Sequence, residues 1–409
     1  MDNVRKTRFV LFFAIVFILI EFFGWKYVGP ISLRNIGLLL VVIALIKGGW
    51  KYDPQLFKRY RFLVIYYVFV CLLGFFNGLY LDKGTTLVFA RFLPSVVLFC
   101  FITFSIKDKR YFSACVYLLL TIVIIDALVT ILQGVGSSVG WAIYSYFHDP
   151  EMANDALSNY SNVDSSIGLS IASGITGTVV ANGFFLTSLG LLFWYPFYEK
   201  RTTLSFVFSM ICFFLCLVAL FYNQQRAAFY VYLLLASIIM IFIIPSKKQR
   251  FVYLIVIAVM AFAFVLYNSQ SLNTINVGRL ENVTNEDIAY RHERHREFYS
   301  EFLPSHFLTG DRYEYGIQYG QTPHNMIIET LLLGGIIGLI IYLLYIVSLG
   351  VKCIGDYFKK NRDLVLFAIP VFSIILISWE HSYGLHTGYT LGACLIALYE
   401  KSIVCNENS

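Results

Sequence analysis

Twelve stretches of this chain are apolar and long enough to cross about 30 Å of hydrocarbon as helices, which leaves a membrane as its solvent. They run at 8–24, 31–47, 62–80, 86–105, 112–134, 178–198, 204–222, 227–245, 251–267, 325–350, 364–379 and 388–400, the last one short. Lipid offers no partner to backbone N–H and C=O groups, so the spans must be helices. The expected fold is therefore all-α, an integral membrane protein of about 12 transmembrane helices forming a single polytopic domain over 1–409. Only 14% of the residues are charged, against about 25% in soluble domains.

Lys and Arg set the orientation, because cytoplasmic segments accumulate them. With both termini cytoplasmic, 21 of the 31 basic residues fall inside, among them Lys47, Lys107, Lys200, Arg201, Lys247, Lys352 and Lys360. The long segment 135–177 then lies outside, and it holds no Lys or Arg at all. The net charge of +6 thus reports topology and does not point to nucleic acid. The N-terminal stretch is basic and then apolar, with no small-x-small cleavage site before Lys26, so it is expected to stay as the first helix. All eight cysteines fall in helices or on the cytoplasmic side, so neither large outer segment can form a disulfide. Cys212 and Cys216 stand one helical turn apart and read as packing residues.

The cytoplasmic loops are short, and no soluble domain, low-complexity segment or internal repeat is visible. The outer face carries two large loops, 135–177 and 268–323. The first is rich in Ser, Asn, Gly and Asp, ends in Gly174-Ile175-Thr176-Gly177, and reads as a loop that dips back toward the membrane. The second begins with Thr284-Asn285-Glu286-Asp287, a capping box that predicts a helix over about 285–303, stopped by Pro304. That helix places Ile288, His295, Phe298 and Phe302 on one stripe, with Arg291 and Arg294 on an adjacent face. Gly310 to Gly316 reads as a glycine-punctuated turn region containing Arg312. Thr322 then suits an N-cap and Pro323 the first helical position, which puts His324 in the first turn of a span at the outer surface.

Cations inside a bilayer are unfavourable by about 2.5–3.5 kcal/mol, so each needs a reason. Arg34, Arg91 and Arg226 lie within or at the ends of spans, all on the outer half. The seven histidines (His148, His292, His295, His306, His324, His381 and His386) are on the outer side as well. Snorkelling to the interface, or pairing with Asp126 or Glu21, accounts for Arg91 and Arg226 structurally. Together with Arg291, Arg294 and a helix N-terminus bearing His324, the same arginines form a site for a phosphate-bearing ligand that needs no metal. The positive end of its helix would keep His324 neutral, as a general base requires, although a histidine that merely caps its helix is the plain alternative. His292-Glu293-Arg294-His295 lacks the spacing of a zinc-protease helix, and no metal or cofactor is expected. Glu380, His381 and His386, placed in the last outer loop, read as interfacial polar residues. Asp126 is the one obvious acid in midspan.

The string Thr322-Pro323-His324-Asn325, followed by Met326 to Glu329 and then Gly334-Gly335-Ile336-Ile337-Gly338-Leu339, resembles the His-Asn, apolar run, Gly-x-x-Gly-Leu signature of bacterial O-antigen polymerases and O-antigen ligases. Gln225-Arg226-Ala227-Ala228 is similar to that family's Ser/Thr-Arg-small-small start of a span, and Gly177-Thr178 to Asn182-Gly183 to the segment before a mid-chain span. Arg291 and Arg294 stand in the loop where the family has another arginine. One departure is that the family often has Trp four residues after that arginine, where His295 follows Arg291 and Phe298 follows Arg294.

The resemblance covers roughly 170–350. It implies a glycosyltransferase at the periplasmic face of the bacterial inner membrane, using undecaprenyl-diphosphate-linked oligosaccharide among membrane lipid and no nucleotide sugar. By that resemblance, Arg226 and Arg294 are catalytic with His324, the arginines holding the departing diphosphate. Arg291, Arg91, Asn325 and Arg312 are the expected substrate-binding residues. A polymerase, working with a chain-length regulator and a flippase, is the favoured form because the outer loop is short. An O-antigen ligase, with lipid A–core as acceptor, is the alternative. From another class, a lipid-linked oligosaccharide flippase would keep its charges near the midplane at broken, repeated helices, whereas the cations here cluster at one surface.

Overall fold

A computed structural model describes residues 27–28, 31–48, 61–76, 93–106, 108–148, 150–160, 172–243, 293–319, 325–359, 365–378 and 384–407, with the single positions 12, 16, 251 and 255. The expected spans 8–24 and 251–267 lie almost wholly outside these residues, so the count of twelve is not tested.

Nearly every described element is a helix. The exception is a two-residue antiparallel ladder pairing Tyr27 with Ser32 and Val28 with Ile31. It leads into α1 (Leu33–Lys47), capped by Ser32 Oγ, which accepts from Asn35 N at 3.2 Å. Next come α2 (Arg61–Phe76), α3 (Leu93–Ser105) and α4 (Lys109–Gly134), the last capped by Asp108. Two short helices, α5 (Ser138–Phe147) and α6 (Pro150–Tyr160), occupy ground read from sequence as loop. Then α7 (Val179–Lys200) tightens into a 3-10 turn at Leu191–Trp194 and ends where Arg201 turns left-handed. The helix α8 (Thr203–Asn223) opens with a capping box between Thr202 and Ser205 and ends at left-handed Gln224, and α9 (Arg226–Ile243) follows at once.

The hub is α7, almost entirely buried and the least apolar of the helical runs long enough to span a membrane. Leu191, Leu192, Phe193 and Trp194 are fully enclosed, and Asn182, Thr187 and Ser188 are buried beside them. A helix surrounded by protein carries polar groups if neighbours satisfy them, as when Thr187 Oγ1 donates to the Ala228 carbonyl at 3.0 Å. The outer helices are the reverse. Leu204 and Ile211 on α8, with Val347, Val351 and Ile354 farther on, leave large apolar side chains exposed. Contiguous stripes of that kind need an apolar cover, and lipid supplies it. Among the described residues, four helical runs are long and apolar enough to cross a membrane: α4, α7, α8 and Met326–Phe358.

The remaining elements are α10 (293–306), α11 (Arg312–Tyr319), α12 (Met326–Lys359), α13 (Val365–Ser378) and α14 (Gly384–Glu407). Lys352 of α12 pairs with Glu400 of α14, and Tyr399 Oη donates to Asp356 Oδ2 at 2.9 Å, so this end of the bundle is tied by charge. The helix α14 starts at Gly384, so the backbone of His386 belongs to its first turn and not to a loop, and the short span expected at 388–400 is a 24-residue helix.

Candidate functional site

The run Met326–Lys359 is not the single span expected at 325–350. Gly335 has φ 58° and ψ −158°, a conformation open essentially to glycine alone, and the chain reverses there. Tyr342 Oη lies 3.5 Å from Met326 Sδ, although 16 residues of continuous helix would separate them by about 24 Å. So α12 is a hairpin of two arms, a short one over 326–334 and a long one over 336–359. The Ile336 N–H, freed by the reversal, donates to the Phe307 carbonyl at 2.8 Å. The long arm lies against α2 through Gly338, Tyr66 and Phe69, with the Tyr66 and Tyr342 rings 5.3 Å apart.

The N-cap of the short arm is Asn325, not Thr322. Asn325 Oδ1 accepts from Ile327 N at 2.8 Å and from Ile328 N at 3.4 Å. The helix therefore starts at Met326, and the expectation that His324 sits in a first turn is corrected: in sequence it precedes the cap. His324 itself lies outside the described residues, as do Arg91 and Arg291.

A compact unit built from α10 and α11 packs on this arm. Phe298, Phe302 and Tyr315 form a second apolar core with Ile328, Leu331 and Leu332. Pro304 does not stop α10. A π turn over Glu297–Phe302 shifts the hydrogen-bond register, and a final turn, Leu303–His306, runs through the proline. The stretch read as a glycine turn at 310–316 is mostly helix, because Asp311 Oδ1 accepts from Glu314 N at 3.0 Å and starts α11.

Within the unit, Arg294 bridges α10 and the end of α11, reaching Glu297 Oε2 at 3.1 Å and the Tyr319 carbonyl. His306 stacks on Phe302, with ring centroids 4.1 Å apart, and its Nε2 meets Glu314 Oε2 at 2.9 Å. Desolvation, then the Glu301 and Glu297 carboxylates, raise the Tyr319 hydroxyl above the usual phenol range. Arg312 places Nε 2.7 Å from Oε1 of Glu329, a fully buried carboxylate in the middle of the short arm. A buried charge demands a partner, and Arg312 supplies it. Asp126 is therefore not the one acid within an apolar run. Glu329 belongs to the sequence motif with no role expected of it there, and an acid five residues past His324 inside such a run is the available signal.

A second polar cluster gathers where α4, α7 and α8 meet the loop 172–178. Asp126 Oδ1 accepts from Ile175 N at 2.7 Å, and the Asn182 amide, with its nitrogen turned to the carboxylate, donates to Oδ2 at 2.6 Å. Two turns along α4, Gln133 Oε1 accepts from Ser173 N and Gly174 N at 3.0 and 2.9 Å, and its Nε2 donates to the Gly174 carbonyl at 3.1 Å. His148 Nε2 lies 2.7 Å from the Ile175 carbonyl and Tyr144 Oη donates to that of Gly177 at 2.7 Å. The loop thus packs beside Asp126, eight residues or about 12 Å below the end of α4, as a loop that dips back should. His148 is consumed in holding it.

Arg226 heads α9 directly after this cluster, behind the turn Asn223-Gln224-Gln225. Asn223 Nδ2 donates to the carbonyls of Ala172 and Val179, both at 2.9 Å, which fastens the turn to the buried loop. The expected residues thus fall into two groups: Arg294, Arg312 and Asn325 in the loop unit and the arm it covers, and Arg226 at the head of a bundle helix.

No curated protein matches the sequence significantly. Residues 211–343, which take in most of α8, the head of α9, the loop unit and the hairpin turn, match the family model described as O-antigen ligase. Over that region this apolar, multi-pass membrane chain is similar to the O-antigen ligase family.

Proposed function

We propose that the protein is an O-antigen polymerase, a glycosyltransferase that joins undecaprenyl-diphosphate-linked repeat units at the periplasmic face of the inner membrane. The observation that carries this reading is the extent of the family match, which holds both Arg226 at the start of a helix and the Asn325-capped arm that follows His324. In it, a hydroxyl of the incoming unit attacks the anomeric carbon of the growing chain and gives its proton to His324. The bond from that carbon to the diphosphate oxygen breaks, and the electron pair leaves with the diphosphate. Arg226, with Arg294 or Arg291, stabilises that charge, and Arg91 assists. Charge-assisted hydrogen bonds are worth about 1.5–3 kcal/mol each, enough in combination to hold a diphosphate without a metal. Both termini are cytoplasmic in this reading, the loops 135–177 and 268–323 are periplasmic, and a flippase and a chain-length regulator are its partners.

A second reading is favoured by the description of the matched family: an O-antigen ligase that transfers the lipid-linked glycan to lipid A–core. The lipopolysaccharide ladder of a deletion strain separates the two. Core bearing a single repeat unit identifies the polymerase; core bearing none, while lipid-linked polymer accumulates, identifies the ligase. Complementation with Arg226→Ala or His324→Ala at matched membrane levels tests the site. A normal ladder from both would overturn it and bring transport forward.

A further inference from the structure

The turn between α8 and α9 holds an arrangement that the diphosphate site does not account for. Asn223, Gln224 and Gln225 are three consecutive amides, and four of their buried polar atoms have no hydrogen-bond partner among the described residues: Asn223 Oδ1, Gln224 Oε1, and both Oε1 and Nε2 of Gln225. Gln225 is only 4% exposed and Asn223 is fully buried. Buried amides are costly unless bonded, so a set of four unpaired atoms on one turn marks a place where a polar ligand completes the structure.

The turn is fixed, not loosely placed. Gln224 has φ 58°, Asn223 is tied to Ala172 and Val179, and Ala172 N donates to the Tyr222 carbonyl at 3.1 Å. The Gln225 amide lies against Gly183, where any Cβ would overlap its oxygen. Gly183 leaves the space that this glutamine fills. Since Asn223 Nδ2 spends both hydrogens on carbonyls, the unpaired Oδ1 is an acceptor by elimination. Three of the four free atoms are carbonyl oxygens, which repel phosphate and seek O–H or N–H donors.

We infer that Asn223, Gln224 and Gln225 form a carbohydrate subsite beside Arg226, taking hydroxyl or acylamino groups of the sugar next to the lipid-borne diphosphate, with Gln225 its specificity-determining residue. The inference rests on the reading that Arg226 meets that diphosphate. A sugar attached to the diphosphate lies within one residue's reach of the arginine that holds it, and Gln225 supplies both an acceptor and a donor there.

The test is binding by the full-length protein in lipid nanodiscs, with two probes: undecaprenyl diphosphate without sugar, and the lipid-linked repeat unit extracted from a host strain lacking this gene. Gln225→Ala, and the similarly shaped Gln225→Met, should weaken the glycolipid about tenfold or more and leave the sugar-free probe within about twofold, as expected for losing one or two hydrogen bonds to the sugar. Without ligand, Gln225→Met should unfold at the wild-type temperature or above it, because it fills the same space and an unpaired buried amide has been removed. A purely packing role for Gln225 would lower that temperature and weaken both probes alike, which overturns the inference, as does unchanged glycolipid binding. Arg226→Ala must weaken both probes. If it does while Gln225→Met changes neither, the subsite alone is wrong. If the wild type binds neither probe, or Arg226→Ala alters neither, the functional reading fails and the subsite with it.

Discussion

Gly310 and Gly335 lie against each other with room for a side chain on neither. A Cβ on Gly310 would press into the Leu331 carbonyl and stand 2.9 Å from the Gly335 nitrogen, and one on Gly335 would run into the Leu308 carbonyl. Both have positive φ, 64° and 58°. The short arm of α12 can reverse only because the segment Leu308–Gly310 closes over the turn.

Alanine at either position combines backbone strain with overpacking, each worth about 1–3 kcal/mol. Gly335→Ala and Gly310→Ala should each lower the unfolding temperature of the detergent-purified protein markedly. Because they meet one another, the double variant should cost less than the two single losses added together. Fluorescence-monitored thermal unfolding of the three variants checks this.

Arg312→Ala strands the buried Glu329 carboxylate, and removal of one partner from such a pair costs about 3–5 kcal/mol, less here because Arg312 is partly exposed. Arg312→Ala with Glu329→Gln should recover part of that loss. A double-mutant cycle on thermal stability reads the coupling, and a coupling near zero would show that the pair does not hold α11 to the short arm.

Asn325 caps the short arm, and loss of a cap costs about 1 kcal/mol. Asn325→Asp and Asn325→Ser keep an oxygen for the Ile327 N–H and should retain a normal ladder, whereas Asn325→Ala should shorten it. A full ladder from Asn325→Ala would remove the residue from any role in placing His324.

Gln133→Leu leaves the N–H groups of Ser173 and Gly174 and the Gly174 carbonyl without the amide that now serves them. Each unsatisfied buried group costs about 1–3 kcal/mol. The variant should be among the least stable single substitutions in the chain, while the exposed Gln318→Leu should stay within about 0.5 kcal/mol of wild type. Chemical unfolding of both in detergent gives the comparison.

Helix positions were legible wherever apolar length and charged ends coincide. The ends of α4 and α8, at Lys109 and Thr203, fall within three residues of their expected starts at 112 and 204. The hairpin was not, because hydropathy continues unbroken through Gly334-Gly335 and carries no information on φ. Pro304 misled for a related reason: its clash with a preceding carbonyl is real, but a π turn relieves it without ending the helix. Arg294 and Arg312 are expected from the family resemblance to meet substrate, and the sequence does not reveal that Glu297 and Glu329 pair with them, since those contacts depend on how α10, α11 and the short arm stack. Arg226 at the head of a helix follows from the apolar run 227–245 as well as from Gln225-Arg226-Ala227-Ala228. The polar loop beside Asp126 was anticipated as a segment that dips inward, but its anchors, Gln133, Asn182 and His148, sit on three different elements with no common spacing.

The second apolar core changes what counts as a transferable piece of this protein. Ile328, Leu331 and Leu332 of the short arm share that core with Phe298, Phe302 and Tyr315, so the arm is as much the floor of the loop unit as it is part of the bundle. A chimaera that exchanged only the loop, cut at the start of the apolar run, would graft a foreign ceiling onto a native floor and sever Arg312 from Glu329. A cassette cut after Gly335 carries the floor, the ion pair and both glycines together, and that is the segment to exchange between relatives when the aim is to move a specificity and keep the fold.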